Sequence, residues 1–121
     1  MRISVLSVLA LTITTAVFAA DVPVKVYVNG KLQSYNPPAV LLGGTVYVPL
    51  RAGAQSLGIS VKWHDDTQTA QICTDKGCTL IRKSEGIIVH GSLLLPLRKM
   101  GEATGAKVAW DAAKKAVFIT K

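Results

Sequence analysis

Few side chains in this sequence could carry out chemistry, and they fall into two groups. The first contains histidines and aspartates: His64, Asp65 and Asp66 are consecutive, and His90 follows 26 positions after His64. Zinc-type sites need three or four ligands that converge on one point. These four residues therefore predict a small secreted enzyme or metal-binding protein only if His90 comes within about 5 Å of His64 with a carboxylate between them. The interpretation we favour is that His64 lies exposed in a turn.

The second group is the pair of cysteines, which flank residues 74–77. Four intervening residues allow Cys73 and Cys78 to face each other across a hairpin, at the Cα separation of roughly 5.5 Å that a disulfide requires. A redox or metal role would need the Cys-x-x-Cys spacing or further ligands, and the sequence has neither. Because cysteines of exported proteins usually pair, we predict a structural Cys73–Cys78 disulfide.

The sequence contains no apparent catalytic pattern. A Ser–His–Asp arrangement, a pair of catalytic carboxylates and a phosphate-binding glycine loop are all missing from it. These patterns supply an activated nucleophile, an acid with a base, or a cradle of backbone N–H groups. The sequence therefore predicts no catalytic residue, no cofactor and no small-molecule substrate.

Residues 45–63 read as a strand, a short helix and a second strand. Valines alternate with other residues up to Pro49, which ends the ladder because it has no N–H and which also suits the first position of a helix. Leu50 and Leu57 then fall on one helical face. Gly58 supplies the left-handed residue that ends a helix, and the second strand runs to Trp63.

The same unit recurs 47 positions later, at residues 92–110. Six residue types recur in order: Pro49, Leu50, Arg51, Gly58, Val61 and Trp63 correspond to Pro96, Leu97, Arg98, Gly105, Val108 and Trp110. A fixed period is typical of a duplicated structural unit. We therefore predict two fused repeats, about residues 22–74 and 69–121. One strand, residues 69–73, would close the first repeat and open the second.

The motif Val-Tyr-Val-Pro-Leu-Arg is followed by Leu-Gly-Ile-Ser-Val-Lys-Trp and preceded by Val-Tyr-Val-Asn-Gly-Lys. This pattern resembles the copper amine oxidase N-terminal-like domain, also called the stalk domain, over about residues 22–121. The resemblance implies an α+β fold in which antiparallel strands wrap around two short helices. It also implies a module of exported bacterial proteins that is not itself catalytic.

The resemblance does not bring the oxidase chemistry with it. The copper site of that enzyme uses three histidines, and its cofactor arises from a tyrosine that stands between Asn and Asp or Glu. This chain has two histidines, and its Tyr35-Asn36 pair has the reversed order. Amine oxidation is therefore excluded.

The recurring arginines and tryptophans could be structural or could bind a ligand. An arginine beside a helix N-terminus is unfavourable with respect to the helix dipole, so Arg51 and Arg98 should each have a compensating partner. We predict carbonyl groups at a neighbouring strand end or a carboxylate from one of three residues, Asp65, Asp66 and Asp111. Trp63 and Trp110 are predicted to cap the core rather than to present an aromatic face to a sugar.

The apolar residues of both units should form one core. We expect eight of them to be largely buried: Leu50, Leu57, Val61, Trp63, Leu97, Met100, Val108 and Trp110. Upstream, residues 22–35 predict a hairpin, because the Asn29-Gly30 dipeptide favours the tight turn that joins two strands. Residues 40–42 and 87–89 are predicted to be short buried strands.

Residues 1–19 have the composition of a secretory signal peptide. Arg2 is their only charged residue, an apolar stretch follows it, and Val17-Phe18-Ala19 has the small residues that would allow cleavage after Ala19. The alternative is an uncleaved membrane anchor, since about 20 apolar residues can span a bilayer. Cleavage would leave one domain, residues 20–121, that is secreted or held in the periplasm or envelope of a bacterium. The domain would contact a membrane only if the segment is retained.

Charge then narrows the function. Without residues 1–19 the chain keeps 13 basic and 7 acidic residues, a formal net charge of +6. A basic exported domain attracts anionic polymers. The basic residues are scattered, and no dense basic run with interleaved aromatic residues indicates specific nucleic-acid binding. We therefore predict a non-catalytic, envelope-associated binding or structural module whose partner is an anionic cell-wall polymer, weakly bound, or another envelope protein.

Two further alternatives remain open. A saturable pocket for a sugar or peptide would depend on one aromatic side chain such as Tyr27 or Tyr47. A secreted inhibitor would present an exposed apolar loop, and residues 36–44, which are rich in proline and leucine, are the candidate.

Overall fold

The computed structural model describes residues 22–121. The first half of this part contains β1 (Val22–Val28), β2 (Lys31–Gln33), β3 (Ala39–Leu42), β4 (Thr45–Pro49), α1 (Leu50–Ser56), β5 (Val61–His64) and β6 (Thr69–Thr74). The second half contains β7 (Gly77–Arg82), a short 3-10 helix (Lys83–Glu85), β8 (Ile87–Val89), β9 (Ser92–Pro96), α2 (Leu97–Thr104), β10 (Lys107–Asp111) and β11 (Ala116–Thr120). The predicted signal peptide, residues 1–19, lies outside the described residues.

The strands form two sheets. The larger sheet has the order β10-β11-β1-β3-β4-β9-β8, with β2 also paired to β1, and the smaller sheet has the order β5-β6-β7. With two short helices and mainly antiparallel pairing, this is the mixed α+β class that the sequence predicts. One pair differs: β1 and β11 are parallel, with Lys25 opposite Ala116 and Val28 opposite Ile119. They come from opposite ends of the described chain, so no hairpin dictates their relative direction.

The hairpin predicted for residues 22–35 is present as β1 and β2. Asn29 and Gly30 have φ angles of 49° and 84°. A type I′ turn requires positive φ at both central residues, and this is the reason that Asn-Gly is favoured there. The alternation of β1 places Val26 in the core and leaves Lys25 exposed.

Both helices begin and end as predicted. Each starts directly after a proline that closes a strand, Pro49 before α1 and Pro96 before α2. Gly58 and Gly105 follow the helices with φ angles of 75° and 76°. This left-handed conformation is strained for residues with a Cβ, so glycine at these positions gives each helix a defined end.

Fewer of the predicted core residues are fully buried than the sequence suggested. Leu50 and Met100 are 2% and 1% exposed, as predicted. The other six expected core residues are only partly buried and pack against the core from its margin: Leu57, Val61, Trp63, Leu97, Val108 and Trp110. Four of these six lie on β5 or β10, which are end strands and have a neighbouring strand on one side only. Their side chains are therefore covered from fewer directions.

The two short strands predicted to be buried also differ from each other. β3 lies inside the larger sheet, and Ala39 and Val40 are 1% and 5% exposed. β8 is the last strand of that sheet, and Ile88 is 46% exposed. Of residues 40–42, Val40 is buried as predicted, and Leu41 and Leu42 are only partly buried. None of residues 87–89 is buried, so the prediction is wrong for that strand.

β6 is the central strand of the smaller sheet. Ile72, which is fully buried, lies opposite Val61 of β5 on one side and opposite Thr79 of β7 on the other. β6 therefore pairs with β5, which belongs to the first predicted repeat, and with β7, which belongs to the second. The repeats themselves stay a prediction.

Within residues 22–121, neither helix has the length and apolar composition needed to cross a bilayer.

Candidate functional site

A cleft of about 640 Å³ lies between the smaller sheet and the β8–β9 hairpin, beside the start of α1. We call it the α1 cleft. Its walls come from separate parts of the chain: the segment before β3, α1, the β5–β6 hairpin, the 3-10 helix and the β8–β9 turn. The polar and aromatic side chains that line it are Asn36, Arg51, Gln55, Trp63, Gln68, Lys83 and Ser92.

Arg51 stands in the first turn of α1, because Pro49 ends β4 and the helix begins at the next residue. Its Nη1 atom donates a hydrogen bond to the carbonyl oxygen of Val61 at 3.1 Å. A strand carbonyl is one of the two partners predicted for this arginine. Among residues 22–121, Arg51 forms no ion pair with Asp65 or Asp66, so the carboxylate alternative is wrong.

Trp63 is half-buried on β5 and lines the α1 cleft. Its Nε1 atom donates to the Asp65 Oδ1 atom at 3.4 Å. The Gln68 Nε2 atom donates to the same oxygen at 3.0 Å and to the Asp65 carbonyl at 2.8 Å. Asp65 therefore forms hydrogen bonds within the turn after β5, to the side chains of Trp63 and Gln68.

The charge of the α1 cleft is one-sided. Arg51 and Lys83 both line it, and both are exposed to solvent. In the part of the chain that the structure describes, no aspartate or glutamate lines the cleft. The Asp65 carboxylate bonds to two residues of the cleft wall, Trp63 and Gln68, but is not itself part of the lining.

The four residues proposed for a metal or enzyme site are not brought together. His64 is the last residue of β5 and is partly buried, so the prediction of an exposed turn position is wrong; its Nε2 atom lies 2.6 Å from the Gln71 Oε1 atom. His90 lies in the β8–β9 turn with a φ angle of 48°. Asp66 accepts a hydrogen bond from the backbone N–H of Thr67 at 3.0 Å. Nowhere in residues 22–121 do three His, Cys, Asp or Glu side chains converge as a metal ion requires. The metal site predicted from these four residues is therefore not formed within residues 22–121.

The second copy of the motif makes no comparable site. Arg98 is exposed, and Trp110 is half-buried on β10 and packs against the core; neither lines the α1 cleft. Asp111, the predicted partner of Arg98, accepts a hydrogen bond from the backbone N–H of Lys114 at 3.0 Å. No ion pair between Arg98 and Asp111 occurs within residues 22–121.

The disulfide prediction is confirmed. Cys73 of β6 and Cys78 of β7 lie directly opposite each other and are bonded, with a Cα–Cα distance of 3.9 Å. This distance is shorter than the predicted separation of roughly 5.5 Å. Both cysteines are exposed, and the bond closes the tip of the hairpin.

Neither tyrosine named for a sugar or peptide pocket lines the α1 cleft. Tyr27 is stacked on Phe118 of the neighbouring strand, with ring centroids 5.2 Å apart. Tyr47 lies within the larger sheet, opposite Val40 and Pro96. The aromatic residue of the cleft is Trp63, for which the sequence favoured a core position.

The segment proposed as an inhibitory loop, residues 36–44, contains a strand of the larger sheet. Four of the residues between positions 36 and 44 form β3, which pairs with β1 on one side and with β4 on the other. Ala39 and Val40 point into the protein and are buried. The segment therefore presents no exposed apolar loop.

Basic side chains cover much of the surface. Every lysine and arginine in residues 22–121 is exposed, although they are scattered over both sheets. Among these residues, ion pairs join only Glu85 to Arg82 and to Lys99. The backbone N–H of Arg82 and the ammonium group of Lys99 donate to the Glu85 carboxylate and lower its pKa from the ordinary value.

One comparison with known proteins gives a result. The family model described as copper amine oxidase N-terminal domain matches residues 27–86 and 77–121. No curated protein and no solved structure matches the chain. The two matched segments together extend over most of the sequence and include both Pro-Leu-Arg motifs. The chain therefore belongs to the copper amine oxidase N-terminal domain family, whose domain is a non-catalytic stalk.

Proposed function

We propose that this protein is an exported, non-catalytic module of the bacterial envelope that is held on anionic cell-wall polymers by weak electrostatic attraction. The observation that carries the proposal is that most of its basic side chains are exposed and are not paired with carboxylates. All lysines and arginines of residues 22–121 are exposed, and only Arg82 and Lys99 among them form ion pairs. Most of the positive charge is therefore free to attract a polyanion.

The positions of these residues favour a weak and spread contact. Lys25 and Lys115 are adjacent at one end of the β1–β11 pair, where the Lys25 N–H donates to the Lys115 carbonyl at 3.1 Å. Lys107 lies at the other end, opposite Thr120 of β11. A polymer with regularly spaced negative charges can meet several such lysines at once, without a single site that fixes its register.

Export and envelope location are parts of the same proposal. Residues 1–19 have the composition of a cleavable signal peptide, and the Cys73–Cys78 disulfide suits an oxidising compartment. The family match supports a structural module without chemistry of its own. Contact with another envelope protein is the second partner class that an exposed basic surface permits.

Retention on isolated wall material tests the proposal. The purified protein is mixed with wall fragments and sedimented at 0.1 M and at 1 M salt, where the Debye length is about 10 Å and about 3 Å respectively. We expect retention at 0.1 M and release at 1 M. Retention that is unchanged at 1 M salt would contradict the electrostatic mode.

A matched pair of variants separates charge from shape. In one, Lys25, Lys107 and Lys114 are all changed to Gln; in the other, the same three lysines are changed to Arg. All three residues are exposed, so neither variant should disturb the core. We expect weaker retention for the Gln variant and unchanged retention for the Arg variant.

A further inference from the structure

We infer that the α1 cleft is a saturable site for one sugar unit that carries a carboxylate or a phosphate group. This inference deepens the proposed function and rests on it, because it names the polymer unit that would enter a defined site. It differs in kind from the spread contact described above. The site would have a fixed stoichiometry and a dependence on particular side chains.

The charge of the cleft selects an anion. Arg51 and Lys83 stand at its walls, and no carboxylate from residues 22–121 lines it. A neutral ligand would give neither positive group a negatively charged partner. A negative group bound in the cleft would be attracted by both side chains.

Arg51 is already oriented for such a group. Its Nη1 atom donates to the Val61 carbonyl at 3.1 Å, which holds the guanidinium plane beside β5. A guanidinium has five N–H donors in a fixed fork, so one bond to the protein leaves a pair of donors for a carboxylate or phosphate. The bond to Val61 thus reduces the freedom that the side chain would lose on binding.

Trp63 makes a sugar the preferred carrier of the charge. The indole is half-buried, contacts the Asp65 carboxylate through Nε1 at 3.4 Å and offers a flat apolar surface to the cleft. The amide groups of Asn36 and Gln55 and the hydroxyl of Ser92 line the same space and can bond sugar hydroxyls as donors or acceptors. The volume of about 640 Å³ is in the range of small-molecule sites.

Tryptophan fluorescence provides a direct test, because the chain has two tryptophans and only one lines the cleft. The Trp110→Phe variant leaves Trp63 as the reporter, and the Trp63→Phe variant leaves Trp110. Each is titrated with trigalacturonate and with glucose 6-phosphate at 0.15 M salt, and with maltotriose as the neutral sugar. We expect a saturable change in Trp63 emission with an acidic sugar, none with maltotriose, and none from Trp110 with any probe.

The recurring arginines supply the matched control. Arg51→Gln should weaken binding of the acidic sugar about tenfold or more, because it removes the charged fork. Arg98→Gln removes the equivalent arginine of the second motif, which does not line the cleft, and should leave binding unchanged. Lys83→Gln is a second cleft variant, on an exposed side chain, for the case in which Arg51→Gln melts at a lower temperature.

The outcomes separate this inference from the proposed function. A missing Trp63 response to both acidic sugars, equal binding of maltotriose, or equal losses in the Arg51 and Arg98 variants would overturn the α1 cleft as an acidic-sugar site. Salt-sensitive retention on wall material would still stand in that case. Saturable binding in the cleft, together with retention on wall material that is the same at 0.1 M and 1 M salt, would instead support the cleft as an acidic-sugar site. It would contradict the spread electrostatic contact.

Discussion

The terminal methyl group of Met100 lies 2.6 Å from the position that a Cβ on Gly53 would occupy. Gly53 belongs to α1 and Met100 to α2, and 47 positions separate them, which is also the spacing of the two Pro-Leu-Arg motifs. Val48 and Leu95, which lie opposite each other in β4 and β9, have the same separation. Such contacts between corresponding positions are what a two-fold relation between the predicted repeats would produce.

Substitutions at Gly53 and Met100 should therefore be coupled. Gly53→Ala forces Met100 to move, and we expect a net cost of about 1 kcal/mol after the gain in helix propensity. Met100→Ala should cost about 2–5 kcal/mol, because it opens a cavity. The double variant should lose less than the sum by about 0.5 kcal/mol or more, since the new methyl group fills part of that cavity.

Urea unfolding of the four proteins measures this coupling. Gly58→Ala combined with Met100→Ala is the control, because a Cβ on Gly58 would meet nothing within 4 Å. That pair should be additive. Additive losses for Gly53→Ala and Met100→Ala as well would show that the two helices do not meet as described.

The leucines of the two Pro-Leu-Arg motifs should differ in their contribution to stability. Leu50 is 2% exposed, whereas Leu97 is only partly buried. Leu50→Ala should lower the free energy of unfolding by about 2–5 kcal/mol, and Leu97→Ala by about 1–2 kcal/mol. Chemical unfolding of both variants in the same buffer checks the order, and equal losses would contradict the unequal burial.

The disulfide should be a minor source of stability. It closes a loop of four intervening residues, and β6 and β7 are already paired along their whole length. Cys73→Ser with Cys78→Ser should therefore cost about 2 kcal/mol or less. Mass spectrometry of the unreduced protein should show the Cys73–Cys78 crosslink, and two freely alkylated thiols would contradict it.

Glu85 should make the stability depend on pH in the acid range. Its pKa is lowered in the folded protein, first by the Arg82 N–H at 2.8 Å and then by the Lys99 ammonium at 3.0 Å. A lowered pKa gives stability that is complete above the ordinary carboxyl pKa of about 4.3 and is lost as the pH falls through the folded value. Glu85→Gln should thus destabilise the protein at pH 7 and have little effect at the lowest pH.

Melting temperatures between pH 7 and pH 2 test this difference. Glu102→Gln is the matched control, since Glu102 is an exposed glutamate of α2 and belongs to neither ion pair within residues 22–121. Its effect should not follow the same pH curve. A constant difference between the Glu85 variant and the parent protein at all pH values would rule out the linkage.

The features that the sequence predicted correctly depend on neighbouring residues. The Asn29-Gly30 turn, the start of each helix after a proline and the Cys73–Cys78 pairing are each encoded within a few positions. The physical causes are equally local: positive φ, a missing N–H and a short loop.

The features that it missed depend on distant residues. The α1 cleft combines Asn36, Gln55 and Ser92, and nothing in their local sequence places them together. Gly86 is a similar case. Its φ of −138° is open to any residue, yet a Cβ there would collide with the carbonyl oxygen of Leu94, a contact that only the tertiary structure reveals.

The parallel pairing of β1 and β11 has a mechanical consequence. Because these strands run in the same direction, opposite forces applied at Val22 and Lys121 would pull each strand along its own axis and slide one past the other. Hydrogen bonds from Lys25 N–H to the Lys115 carbonyl and from Asn29 N–H to the Ile119 carbonyl, 3.1 and 2.8 Å long, stand near the two ends of the pair. Tension would load them together, in shear, so the fold would bear the force as a unit and would not unzip from one end.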